Sequence, residues 1–219
     1  MNPFDTLAFF LAADGLKRES RTTLLTDGSR PESVAEHCWH LSLLALILEP
    51  HAPPGINLVH VRDLITVHDL VEVYAGDTCF FSDDGSSAAR EAASALQLLA
   101  LLPELGRHQL RAMIDEFQAQ ETLEARYARA LDALHPMVIL YAPGGADATA
   151  PRLRASMILD RKRPYLEAFP ALWNFAQRLV ESGVQRGVLD PDEPMQSENR
   201  RVRANSNEDA PSTKHHPQS

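Results

Sequence analysis

Cysteine is scarce in this chain of 219 residues, and long hydrophobic runs are missing from it. The two cysteines, Cys38 and Cys79, are too few for the disulfide framework of a small secreted protein, which favours a reducing, intracellular compartment. The apolar run LSLLALIL falls far short of the ~18–20 residues that a membrane-spanning helix needs. No basic segment precedes the apolar start of the chain, so we expect no signal peptide.

Positive charge is in the minority, with 21 Lys and Arg against 30 Asp and Glu and a net charge of −9. This balance argues against binding to nucleic acid polymers and to anionic membrane surfaces. A small phosphorylated ligand remains compatible with it, because one arginine and a metal ion can hold a phosphate in an acidic protein. The length suits one domain with a sizeable core.

The sequence also lacks alternating apolar and polar residues over any stretch long enough for a sheet. Helical periodicity is present instead, and Ser33 followed by Glu36 is a capping-box signature for one of the helices. We therefore predict an all-α fold, with residues 15–32 and 77–87 outside the helices. The predicted helices cover approximately 4–13, 34–48, 58–75, 88–102, 103–119, 123–142, 151–163 and 169–186.

The composition changes from Asp190 onward, where the chain becomes polar and rich in Pro, Ser and Asn. Such a segment has almost no large apolar side chains and cannot bury enough surface to offset the entropy lost on ordering. We predict a folded domain over residues 1–189 and a disordered tail over residues 190–219.

Ionisable residues inside apolar helices are the main functional signal. His37 lies in VAEHCWHLSLL, His68 and Asp69 in VHDLVEVYAGD, and Asp132 in YARALDALHPM. Taken alone, His37 reads as a core histidine with one hydrogen bond and Asp132 as a surface residue. Buried carboxylates are rare unless they are paired or ligate a metal, and imidazole with carboxylate suits first-row transition ions such as Mn²⁺ or Co²⁺.

The order His…His-Asp…Asp on apolar helices resembles that of the HD-domain metallo-phosphohydrolases. The strings RPESVAEHCWHLSLLAL, VHDLVEVYAGD and EARYARALDAL are similar to segments of the YfbR-like 5′-deoxynucleotidases, and the resemblance covers about residues 4–142, with the core motifs within 15–142. It implies an HD-domain helical bundle. It further implies one divalent metal ion, Mn²⁺, Co²⁺ or similar, held by His37, His68, Asp69 and Asp132.

The resemblance implies roles for three more residues. Glu72 would manage the proton of the attacking water, and Asp77 would contact the 3′-hydroxyl of the sugar and so disfavour a ribose 2′-hydroxyl. Arg21 would orient the phosphate, a task that suits the planar guanidinium. Arg18, three residues earlier, competes with Arg21 for this role.

The implied activity is removal of the 5′-phosphate from deoxyribonucleoside 5′-monophosphates by an intracellular enzyme, and relatives are often homodimers. One alternative is an HD phosphohydrolase of nucleoside triphosphates or other phosphoesters; a triphosphate site would want more cationic residues near the metal. Another is a non-catalytic regulatory protein that keeps the metal site, against which the presence of Glu72 argues.

The remaining candidates have simpler interpretations. His40 could support His37 from one helical turn away, whereas His60, His108 and His135 are expected to be structural or surface residues. The aromatic pair at residues 80–81 could stack on a base, form a lid or merely pack.

Overall fold

Helices dominate the structure, a computed structural model that describes residues 2–77, 86–142 and 153–192, and the predicted all-α fold class is confirmed. The aromatic pair at 80–81 and most of the loop predicted over 77–87 lie outside the described residues. The α-helices are α1 (Leu7–Ala13), α2 (Val34–Ile47), α3 (Leu58–Val67), α4 (Glu72–Ala75), α5 (Ser87–Leu99), α6 (Glu104–Ala119), α7 (Leu123–Leu140), α8 (Ala155–Leu166) and α9 (Pro170–Gln185). Short 3-10 helices cover Pro3–Thr6, Asp14–Lys17, Glu49–His51 and His68–Val71.

A two-stranded antiparallel sheet lies between α1 and α2, where the sequence predicts only turns and loop. β1 (Ser20–Leu24) pairs with β2 (Pro31–Ser33), and the residues between them close the hairpin. Strands of five and three residues are too short to show the alternation by which a strand is recognised in a sequence. The hairpin therefore corrects the prediction for residues 15–32, and it carries Arg21 and Glu32.

The single helix predicted over 58–75 is divided in the structure. α3 is followed by the 3-10 helix His68–Val71, and α4 follows that. Nδ1 of His68 lies 2.7 Å from the carbonyl oxygen of Ile65 and donates to it, because a carbonyl can only accept. This contact occupies a carbonyl that a regular α-helix would offer to the amide four residues later, and the backbone here takes the tighter 3-10 form.

α7 is the central helix of the fold and packs against α2, α3, α6, α8 and α9. Leu131 and Leu134 are fully buried on it, and they flank Asp132. The helix continues through Pro136, whose missing N–H leaves the Asp132 carbonyl without its usual donor. α7 therefore carries a carboxylate beside fully buried leucines, with only 14% of the Asp132 side chain exposed.

The apolar core consists of two clusters that meet within α2 and at the end of α3. The first cluster takes Leu41 from α2 and Ile65 from α3, and it extends over α7, α8 and α9. The second takes Cys38 from α2 and Val67 from α3, and it extends over α1, α5 and α6. The candidate ligands His37 and the pair at 68–69 lie in the same short stretches where the chain passes from one cluster to the other.

The folded part extends beyond the predicted boundary at residue 189. The N–H of Asp190 donates to the Leu153 carbonyl at 3.1 Å, and the carboxylate of Asp192 accepts from the Ser156 N–H at 3.1 Å. The first three residues of the predicted tail therefore belong to the fold, and residues 193–219 lie outside the described part. Among the described helices, none has the length and apolar character needed to cross a bilayer.

Candidate metal centre

His37 reaches the centre because the start of α2 is tightly defined. Ser33 Oγ accepts from the Glu36 N–H at 3.3 Å, while Glu36 Oε2 accepts from the Ser33 N–H at 2.8 Å, so the predicted capping box is present. Arg30 holds the same carboxylate with two bonds of 2.6 and 2.8 Å. One turn into this helix His37 is 0% exposed, and burial lowers the pKa of its imidazole.

The 3-10 turn after α3 directs His68 and Asp69 towards His37. One ligand atom of each of these three residues lies within 4.8 Å of the others. His68 Nε2 is 3.1 Å from Asp69 Oδ1, and His37 Nε2 is 3.8 Å from Asp69 Oδ2. Neighbouring side chains on a 3-10 turn point about 120° apart, so His68 and Asp69 share one target only because it lies between their two directions, at the edge of the turn.

Asp132 joins this group from α7. Its Oδ1 lies 3.1 Å from His37 Nε2 and 3.9 Å from His68 Nε2. Arg129 donates to the other oxygen at 3.0 Å. Burial opposes ionisation of Asp132, but the His37 hydrogen bond and the positive charge of Arg129 outweigh it and hold the pKa well below its ordinary value. The structure therefore brings all four predicted ligands together.

The nitrogen of His68 that faces the centre fits a metal ion. Because Nδ1 donates to Ile65, Nε2 of the neutral ring carries a lone pair. This atom is buried and has no hydrogen-bond partner among the described residues. Buried polar atoms normally have partners, so the unpaired Nε2 beside two carboxylates is the arrangement expected of a ligand for a cation.

Glu72 is the first residue of α4, directly after the 3-10 turn that carries His68 and Asp69. Its Oε2 is buried and unpaired within the described ranges. Burial, together with the charges of Asp69 and Asp77, raises the pKa of Glu72 to about 10. Such a shift shows that several carboxylates crowd one poorly solvated region, which is a common condition of sites that bind cations.

Arg21, and not Arg18, faces the centre from the hairpin. Arg21 Nη1 is 3.5 Å from Asp69 Oδ2 and 3.6 Å from Asp77 Oδ1. Burial works against its charge, but the carboxylates of Asp69, Asp132 and Asp77 raise its pKa above the ordinary value. Arg18 pairs with Asp14 at 2.9 Å on the surface, with 72% of its side chain exposed.

Asp77 lies just past α4, where the chain turns at Gly76. Gly76 has φ of 77°, a left-handed value that favours glycine. The Asp77 N–H donates to Glu19 Oε1 at 3.1 Å, which fixes the backbone beside the centre. Burial raises the pKa of the Asp77 carboxyl although the charge of Arg21 opposes the shift.

Glu32 is a buried carboxylate of the centre that the sequence interpretation missed. Its Oε1 lies 3.4 Å from Arg21 Nε and 3.8 Å from His37 Nδ1. Burial raises the pKa of Glu32 to about 7. In the sequence Glu32 follows a proline in a polar stretch and reads as a surface residue, so only the hairpin reveals its position.

A row of imidazoles continues behind His37. His37 Nδ1 is 3.1 Å from His135 Nδ1, and His135 Nε2 is 3.0 Å from His40 Nδ1. Burial and the two neighbouring imidazoles lower the pKa of His135 to about 2, so its ring is neutral. His40 therefore contacts His37 through His135. The sequence indicated only a structural or surface role for His135, because its two partners lie 95 and 98 positions away.

The sequence also gave no indication of two positively charged side chains near Asp132, those of Arg129 and Lys162. Arg129 lies over the rings of Phe117 and Tyr165, at 5.8 and 5.2 Å from their centres. Lys162 on α8 is close enough for the charges of Asp132 and Arg129 to act on it, and burial lowers its pKa to about 8. The sequence gives no reason to place Lys162, in the polar string DRKRP, next to the centre.

Cys38 lies outside the groups of described residues whose ligand atoms could hold a metal ion. Its Sγ lies 3.9 Å from Asp69 Oδ2, and burial raises the pKa of the thiol, as does the charge of Asp69. Cys79 lies outside the described residues.

Comparison with protein families finds a match to the HD domain (HD_3) over residues 13–173. The human 5′-deoxynucleotidase HDDC2 is 29% identical over 129 residues, which are 58% of this chain and 62% of the relative. The Danio rerio protein of the same name is 29% identical over 136 residues, 60% of this chain and 66% of the relative. The chain thus spans less than two thirds of the length of these curated relatives.

Solved structures also match. The predicted metal-dependent phosphohydrolase from Magnetospirillum magnetotacticum MS-1 has a TM-score of 0.78 and 35% sequence identity, covering 86% of this chain and 95% of that one. The PH0347 protein from Pyrococcus horikoshii OT3 has a TM-score of 0.58 and 19% identity, covering 79% of this chain and 99% of that one, and it shares the fold.

Proposed function

The chain belongs to the HD-domain family, and on that basis we propose that it is a metal-dependent phosphohydrolase that removes the 5′-phosphate from deoxyribonucleoside 5′-monophosphates. The four convergent His and Asp ligands support the metal dependence. The curated relatives named 5′-deoxynucleotidase, at 29% identity, support the substrate class.

Four side chains would hold one divalent metal ion: His37, His68, Asp69 and Asp132. The buried lone pair on His68 Nε2, without a hydrogen-bond partner in the described part of the chain, is the observation that carries this proposal. Two imidazoles and two carboxylates suit Mn²⁺, Co²⁺ or a similar ion. A bound ion would lower the pKa of its water and polarise the phosphorus–oxygen bond.

Arg21 would bind and orient the phosphate. Its side chain is only 15% exposed, and its Nε has no hydrogen-bond partner in the described ranges. Contacts of 3.4 to 3.6 Å to the surrounding carboxylates fix its position without short hydrogen bonds. Its donors can therefore turn to phosphate oxygens, for which the planar guanidinium is well shaped.

Glu72 would take the proton of the attacking water at its unpaired Oε2. A nearby cation favours the ionised form of a carboxyl group, so the raised pKa of Glu72 would fall in the loaded centre. Asp77 would contact the 3′-hydroxyl of the sugar and leave little space for a 2′-hydroxyl. Its contact with Arg21 at 3.6 Å supports a substrate whose sugar would lie beside the phosphate.

A second candidate function is hydrolysis of nucleoside triphosphates or other phosphoesters. Arg129 and Lys162 favour it, because they add positive charge beside Asp132 and a polyphosphate needs more than one cation. For either function we propose a small nucleotide ligand, no nucleic acid polymer, an intracellular location and a homodimer.

Phosphate release from a panel of deoxy and ribo nucleoside mono- and triphosphates tests the proposal. The protein would be stripped of metal and then given Mn²⁺, Co²⁺ or Mg²⁺. We expect metal-dependent release from deoxyribonucleoside monophosphates only. Release from triphosphates would favour the second candidate, and stoichiometric metal binding without any release would contradict catalysis.

Two variants test the centre itself. His68→Ala and Asp69→Ala should abolish release while circular dichroism shows a folded protein. His60→Ala is the matched control, because His60 lies on α3, which leads into the turn of His68, but pairs with Glu116 at 2.8 Å. Full activity in either centre variant would contradict the proposed ligands.

A further inference from the structure

We propose that His135 and His40 are positioning residues of the metal centre. With His37 they form a chain of hydrogen-bonded imidazoles, and metal binding reverses the direction in which the N–H groups of this chain donate. The chain would determine which nitrogen of His37 presents a lone pair. This inference rests on the metal site of the proposed function, but not on the reaction or the substrate.

The three rings are linked by two contacts that allow only concerted arrangements. A neutral imidazole has one N–H donor and one acceptor nitrogen. His135 uses both nitrogens, Nδ1 towards His37 at 3.1 Å and Nε2 towards His40 at 3.0 Å. If it accepts from one neighbour it must donate to the other, so the chain runs either towards the centre or away from it.

Without a metal ion, the chain should run towards the centre. His37 Nε2 lies 3.1 Å from Asp132 Oδ1, and an ionised carboxylate can only accept. His37 then carries its proton on Nε2, and its Nδ1 accepts from His135 Nδ1. His135 Nε2 in turn accepts from His40 Nδ1.

With a metal ion, the chain must run outward, because His37 Nε2 then supplies the lone pair. His37 Nδ1 donates to His135 Nδ1, and His135 Nε2 donates to His40 Nδ1. The number of protons on the three rings is unchanged. One proton leaves His37 Nε2, one moves from His135 Nδ1 to His37 Nδ1, and one moves from His40 Nδ1 to His135 Nε2. A proton from solvent then binds His40 Nε2. The half-buried His40, whose ring stacks on exposed Trp39 at 5.9 Å, is the end of the chain nearest solvent.

Glu32 is the competing partner for His37 Nδ1, but it lies farther away. Its Oε1 is 3.8 Å from that nitrogen, against 3.1 Å for His135 Nδ1. Ligand atoms of Glu32, His37 and His135 also lie within 4.8 Å of one another, an arrangement that could hold a second ion. The imidazole chain and a second ion would need the same nitrogens, so they exclude each other.

Heteronuclear NMR of the wild-type protein, labelled at the histidine nitrogens, reads the tautomers directly. The metal-free protein would be compared with protein loaded with diamagnetic Zn²⁺. We expect the proton of His135 to be on Nδ1 without metal and on Nε2 with one equivalent of Zn²⁺. An unchanged His135 tautomer, or a second equivalent bound through His135 Nδ1, would overturn the inference.

Two substitutions at residue 135 separate hydrogen bonding from packing. Asn can place its side-chain oxygen near the position of the imidazole Nδ1, whereas Leu fills the space without any acceptor. Zn²⁺ affinity, measured by competition with a chromophoric chelator, should fall about 10- to 100-fold in His135→Leu and stay near the wild-type value in His135→Asn. A merely structural role would give the opposite order, since Leu suits a buried apolar site better.

His60→Asn is the matched control and should leave Zn²⁺ affinity unchanged. Equal affinities of the Leu and Asn variants would refute the positioning role even if the wild-type enzyme is active. Conversely, the expected tautomers and affinity order in a protein that hydrolyses no phosphoester would refute the proposed function and leave the imidazole chain intact.

Discussion

The side chains of the centre have different proposed roles: four would hold the metal ion, Arg21 would hold the phosphate, and Glu72 would do neither. Glu72 is not one of the four proposed ligands, yet its Oε2 is buried and has no hydrogen-bond partner within the described residues. We expect Glu72→Gln to lower kcat by about 10²- to 10⁴-fold, the range for loss of a general base, with Co²⁺ affinity nearly unchanged. Steady-state kinetics and metal titration would check this.

Glu104→Gln, which changes an exposed carboxylate on α6, is the control for the Glu72 variant. If Glu72→Gln abolishes metal binding along with turnover, Glu72 is a ligand and its proton-transfer role is wrong.

Arg21 and Arg18 make a matched pair for testing phosphate recognition. Arg21→Lys keeps the charge but loses the planar fork, so kcat/KM should fall about 10- to 100-fold, ~1.4 to 2.7 kcal/mol. Arg18→Lys should have no effect, because Arg18 pairs with Asp14 on the surface. Equal losses in both variants would show that general charge, and not bidentate geometry, matters.

The sequence pointed to His37 and Asp132 through the order His…His-Asp…Asp and its resemblance to the HD-domain motif, since each residue alone has an ordinary interpretation. It could not predict Glu32 or the role of His135. Their significance depends on contacts across the fold, His135 with a residue 98 positions away and Glu32 with the other strand of a hairpin. Neither stands out in its own segment.

Among the elements, long helices were predictable because their periodicity extends over many residues. The hairpin was not, since its strands have only five and three residues. The break after α3 was missed for another reason: the apolar pattern continues through it, and the side-chain bond from His68 to Ile65 accompanies the change of the backbone. Both missed elements carry residues of the centre.

The contact between the starts of α3 and α7 gives a prediction for acid stability. Glu124 Oε1 accepts from the N–H of Asn57, the N-cap residue of α3, at 2.9 Å, and this hydrogen bond lowers the pKa of Glu124 below its ordinary 4.5. Its stabilisation is therefore present above pH 4.5 and lost as the pH falls through the folded-state pKa. Because the contact is exposed and Gln keeps an acceptor oxygen, Glu124→Gln should cost only about 0.3–0.5 kcal/mol at neutral pH and less in acid.

Urea unfolding of wild type and Glu124→Gln at neutral and acid pH would measure this difference. Glu121→Gln is the control, since Glu121 is an exposed neighbour just before α7. A stability difference that stays constant down to the acid limit would contradict the role of ionised Glu124.

For the whole molecule, the four proposed ligands connect α2, the turn after α3, and α7. Metal binding should therefore stabilise the fold by about 2.7 kcal/mol at a free metal concentration of 100 Kd. For a chain of this size we expect Tm to rise by roughly 5–10 °C. Scanning calorimetry with and without Co²⁺ would test this.

Asp132→Asn should remove most of the rise in Tm, because it removes a charged ligand from the central helix. A chelator should reverse the rise in the wild type. An equal rise in Asp132→Asn would mean that the ion binds elsewhere.

The two apolar clusters that meet within α2 and α3 have a consequence for cooperativity. Clusters that share few residues can open separately, as distinct units in hydrogen exchange. The centre lies along their boundary, so a bound ion would couple their opening. Amides of α5 and those of α9 should then exchange with different opening free energies in the metal-free protein and converge in the loaded one.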